Sequence, residues 1–89
     1  MAGMYASNQQ VRDELIAHCK ASGAVIEDST PAMIYASSAD PRRTITDLRN
    51  TLADTLFRER TAHDGDQEAF ITVLDAIDRT ITVKVRRGL

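Results

Sequence analysis

The 89-residue chain is 43% hydrophobic and 27% charged, which describes one globular domain and leaves no room for a second core. A formal net charge of -2 argues against bulk electrostatic attraction to nucleic acid or to an anionic membrane. The single cysteine, Cys19, excludes an intrachain disulfide framework and a cysteine-based zinc cluster and fits a reducing compartment, so a cytoplasmic location is expected. Arginine-rich, lysine-poor composition points to a bacterial or phage source.

Residues 1–6 have no periodicity and read as a flexible lead-in, with Met4 and Tyr5 as a small apolar anchor. Met1 to Gln10 lacks the basic and apolar regions of a signal peptide, and no apolar run approaches the ~20 residues of a membrane span. Ser7 with Gln10 forms a capping-box pattern that opens a helix. Val11, Leu15, Ile16 and Cys19 give that helix its buried side, and Gly23 ends it.

The short runs 24–27 and 33–36 flank Asp28-Ser29-Thr30-Pro31, a turn composition, and predict a β-hairpin. Asp40-Pro41 opens the next helix, with Asp as cap and Pro where its missing amide costs nothing; Thr44 with Asp47 offers a second start.

Two apolar stripes follow. Ile45, Leu48, Leu52 and Leu56 precede the polar segment 61–66, and Phe70, Leu74, Ile77 and Ile81 come after it. Steps of three and four place each set on one side of a helix, and the two together predict an antiparallel helical hairpin whose second arm is capped by Asp64 and Gln67. From Thr80 the residues Ile81, Val83 and Val85 alternate with Thr82, Lys84 and Arg86, which favours a terminal strand. The expected fold is therefore α+β: N-terminal helix, short β-hairpin, antiparallel helical hairpin and C-terminal strand. The alternative is all-α, with the last helix continuing to about residue 86.

With 4% aromatic residues and no Trp, the first forty residues offer the helical hairpin few further contacts. Self-association is the expected remedy. The expected hairpin also gathers Arg42, Arg43, Arg79, Lys84, Arg86 and Arg87 at its open end as a contact surface for an anion or an acidic partner.

Catalytic signatures are weak. His18 and Cys19 point about 100° apart on a helix and cannot act together as base and nucleophile. His63, Asp64 and Asp66 are better explained by capping than by a metal, and no phosphate loop, zinc motif, dinucleotide fingerprint or Gly-x-Ser-x-Gly occurs. No enzyme, cofactor or metal is expected. Tyr5 and Tyr35 are candidates for an exposed aromatic partner surface, with core packing the expected fate of Tyr35.

The order helix, short hairpin and a helix opening Thr44-Ile45-Thr46-Asp47-Leu48 resembles the small head-tail joining proteins of tailed phages over about residues 8 to 60. The resemblance implies a ring-forming virion connector with basic residues facing DNA or the portal, and the chain adds a further arm to that pattern. The residues themselves favour a small, non-catalytic, self-associating protein of phage or bacterial type that binds another macromolecule, as an inhibitor or adaptor would. Nucleic-acid binding through the basic end is the third reading.

Overall fold

The structure is a computed structural model that describes residues 8–53, 55–75 and 78–88. The element order is α1 (Asn8–Ala21), β1 (Val25–Ser29), β2 (Met33–Ser38), α2 (Pro41–Leu52), β3 (Arg58–His63), β4 (Glu68–Leu74) and β5 (Thr80–Arg87). The strands form one sheet in the order β1-β2-β5-β4-β3. That order places β5, the last strand in the chain, at the centre; β2 and β5 run parallel and every other pair is antiparallel.

Local chemistry explains the first half. Val11, Leu15 and Cys19, four residues apart, are buried on one side of α1. Gly23 then takes φ 94°, and the Ala24 amide donates to the Cys19 carbonyl at 3.1 Å, which turns the chain into β1. Thr30 and Met33 exchange backbone hydrogen bonds across Pro31-Ala32, where proline's missing donor is not needed. At α2 the Asp40 carboxylate accepts from the Arg43 amide at 3.2 Å, with Pro41 in the first turn. The starting cap expected at Ser7, the apolar anchor at Met4 and Tyr5, and the buried role of Ile77 lie outside the described residues.

The helical hairpin is not formed. Its first arm ends at Leu52 instead of near Arg60, because the Thr55 hydroxyl and amide both donate to the Leu52 carbonyl and that hydroxyl then accepts from the Phe57 amide. Leu56, the last member of the first stripe, is 46% exposed, and the buried residue is Phe57. Its second arm is two strands. Ala69, Ile71 and Val73 are buried while Phe70, Thr72 and Leu74 are half-buried, a period of two. A spacing of four, as from Phe70 to Leu74, keeps residues on one face of a strand as well as of a helix, so that step could not separate the two. Asp64 and Gln67 occupy the β3–β4 turn and start no helix. The terminal strand stands at Thr80–Arg87, which excludes the all-α alternative.

Both helices pack on one side of the sheet. Ile34 and Ala36 of β2, Ala69, Ile71 and Val73 of β4, and Ile81, Val83 and Val85 of β5 meet Val11, Leu15, Cys19, Ile45, Leu48 and Leu52 in one core. The first forty residues thus contribute to this core from α1 and β2, and the shortage of contacts expected for a helical hairpin does not arise.

Candidate functional site: the open face of the sheet

The strand alternation that fills the core sends the other set of side chains to the opposite face, where no described element covers them. Pairing registers arrange this face in rows. One runs across all five strands as Asp28, Tyr35, Lys84, Phe70 and His63. The next runs as Met33, Thr82, Thr72 and Thr61, with the Thr72 and Thr82 hydroxyls 3.0 Å apart. Phe70 and His63 stack with ring centroids 5.5 Å apart and planes 24° apart. Tyr35, expected in the core, is 38% exposed in the middle of this face, because the core side of β2 belongs to Ile34 and Ala36.

A shallow groove of about 590 Å³ crosses the face between Glu27, Asp28, Tyr35, Ala36, Glu68, Lys84 and Arg86. A bulge at Glu27 aims its carboxylate at Arg86, whose Nε and Nη2 donate to the two carboxylate oxygens at 3.1 and 3.3 Å. That bonding holds the Glu27 carboxyl below its ordinary pKa and raises that of Arg86. Lys84 Nζ lies 3.7 Å from Glu68 Oε1. The groove is therefore amphoteric: an aromatic and a methylene floor between paired charges of both signs.

The six expected contact cations do not form a basic cluster. Arg42, Arg43, Arg86 and Arg87 share the end of the sheet where β5 finishes and α2 begins, but acidic groups are there too. Arg42 pairs with Asp66 at 2.8 Å, and Arg43 lies 3.9 Å from Asp47. The Arg87 guanidinium donates to the Asp66 and Ala39 carbonyls, tying the β3–β4 turn to the entry of α2. Arg79 is at the opposite end, bound to the buried Asp75. Lys84 and Arg86 belong to the open face.

The remaining chemical candidates have structural partners. Cys19 is buried in the core, and desolvation pushes its thiol up to about 12, against a smaller opposing hydrogen bond. His63 stacks on Phe70, Asp64 faces Arg49 at 3.7 Å, and among the described residues no group of three His, Cys, Asp or Glu could hold a metal ion. No helix of the described residues is long and apolar enough to cross a membrane.

The sequence offers Tyr35 as a candidate partner aromatic, but not the row that joins it to Phe70 and His63. Its signal was the alternation of Phe70, Thr72 and Leu74 with Ala69, Ile71 and Val73, which marks a half-buried strand with one apolar face to spare.

Comparison with protein-family models, curated proteins and solved structures finds no match to the chain. The expected order of helix, hairpin and helix is present over residues 8–52, with the hairpin part of a five-stranded sheet in which β5 lies beside β2.

Proposed function

We propose that the chain is a small, non-catalytic interaction module that self-associates through the open face of its sheet and acts by binding another protein. The observation that carries this reading is the row Tyr35, Lys84, Phe70: one exposed and one half-buried ring flanking a cation that already has its carboxylate. Exposed apolar surface rimmed by paired charges suits a protein partner, whose own surface offers both rings and ions. Phosphate backbones require free cations that release counterions on binding, and Lys84 and Arg86 are engaged by Glu68 and Glu27. The amphoteric groove therefore favours protein over nucleic acid.

Sedimentation velocity across ~5 to 500 µM tests the reading. The expected result is a concentration-dependent dimer that Phe70→Asp converts to monomer while far-UV circular dichroism is preserved. A wild-type chain that stays monomeric throughout, or one that binds single-stranded oligonucleotides with a steep salt dependence, would overturn it.

A further inference from the structure

We infer that the occupant of the open face is a second copy of this chain, packed sheet on sheet about a two-fold axis that runs along β5, so that β2 of each copy lies over β4 of the other. The inference rests on the self-association proposed above and specifies its geometry.

A face-to-face dimer of two identical sheets has its two-fold axis in the plane between them, directed either along the strands or across them. β5 is the middle strand, with two strands on either side, so an axis along it covers the whole face. That rotation reverses the strand order but keeps strand direction. The row Asp28, Tyr35, Lys84, Phe70, His63 then lies over its own reverse. Tyr35 meets Phe70 twice, which is two aromatic contacts for one interface. Asp28 meets His63 twice, an acceptor against a donor. Lys84 meets itself on the axis, but each copy carries its own Glu68 carboxylate beside it.

An axis across the strands is worse on charge. It stacks β1 on β1, placing Asp28 against the same carboxylate of the other copy instead of against His63, and like charges facing one another in a closing interface are destabilising. It also sets the charged end of the sheet, with Glu68 and Arg86, over the end that carries Leu74. The axis along β5 is thus the more complementary of the two, because it alone sets Asp28 against His63.

The geometry is compatible with ordinary sheet packing. Aligned sheets cross at about 30°, which displaces facing residues one strand from the axis by roughly 2.5 Å, within the width of a phenyl ring. Five strands about 4.8 Å apart and some six residues long give a face of roughly 24 by 20 Å. This is smaller than the ~800 Å² per partner of a standard interface, so association in the micromolar range is expected.

The test uses the full chain with Cys19→Ala, carrying either Asp28→Cys or His63→Cys, and a bis-maleimide spanning about 10 Å, the spacing of packed sheets. Both positions are exposed, and both variants keep Tyr35 and Phe70, although His63→Cys removes the ring stacked on Phe70. Mixing the two variants is expected to give at least about tenfold more cross-linked dimer than Asp28→Cys alone. If sedimentation shows a dimer but Asp28→Cys links to itself as well as to His63→Cys, the axis along β5 is overturned while self-association stands. If sedimentation shows only monomer, both proposals are overturned.

Discussion

The Arg79 guanidinium donates from Nε to Asp75 Oδ2 at 2.8 Å, and the Arg79 amide donates to the other oxygen, Oδ1, at 2.9 Å. In return the Asp75 amide donates to the Arg79 carbonyl at 2.9 Å. These bonds close the connection between β4 and β5, the strands that carry Phe70 and Lys84, and Asp75 itself is fully buried. A buried carboxylate is tolerated because its lone pairs are satisfied on the spot.

Removing the guanidinium takes from the buried Asp75 carboxylate the charge-assisted bond to its Oδ2. Arg79→Ala is expected to destabilise the fold by about 3 kcal/mol, toward the low end for a broken buried pair because the guanidinium is one-third exposed. Urea unfolding of the variant against wild type measures it. An unchanged midpoint would mean that Asp75 is satisfied without Arg79.

The other hairpin, β3–β4, depends on Gly65. A Cβ at that position would stand 2.2 Å from the Glu68 carbonyl oxygen, a backbone atom that cannot swing aside. Gly65→Ala is therefore expected to force the turn open at a cost of about 1–3 kcal/mol. Because this turn sets His63 over Phe70, the ring-current shift of the His63 protons should collapse in the same variant. A variant with wild-type stability and an intact His63 signature would show that the turn has another conformation available.

The legible parts of the fold are those with a local cause. Asp40-Pro41 marks the start of α2 and Gly23 the end of α1 because a cap and a left-handed residue act within one turn. The β3 segment gives no such mark. As an edge strand it buries little, and Arg58, Glu59, Arg60 and Thr61 are all exposed, so its alternation is nearly invisible. Phe70 and Leu74 fit a helical stripe, but four residues is also an even number, and only the buried Ala69, Ile71 and Val73 that alternate with them decide for a strand. The candidate surface inherits this difficulty. Lys84 and Arg86 are visible as cations, but the position of Lys84 between Tyr35 and Phe70 follows from the pairing of β5 with β4 and, far away in the chain, with β2.

At α2 the expected loss is smaller and separable. Asp40→Ala removes the acceptor for the Arg43 amide and should lower stability by about 1 kcal/mol, with Asp40→Asn retaining most of it. Thermal or urea unfolding of the two variants side by side makes the comparison. Equal losses in both would show that the carboxylate acts through its charge at the helix start and not as a cap.

Cys19 gives the chain a dependence on alkaline pH. Burial raises its thiol from 9.0 to about 12, so the folded state holds the proton where the unfolded chain has already released it. Below pH 9 both states are protonated and the contribution to stability is fully present. As pH rises from about 9 to about 12 it is lost, at up to about 1.4 kcal/mol per pH unit. The urea midpoint of wild type is thus expected to fall more steeply above pH 9 than that of Cys19→Ala, whose own loss from the cavity is independent of pH. In parallel, the native thiol should react with an alkylating reagent at pH 8 orders of magnitude more slowly than the urea-unfolded thiol, since only rare opening exposes it. Alkylation of the folded protein at the rate of a free cysteine, or identical alkaline slopes for the two proteins, would show that α1 does not seal Cys19 against the sheet.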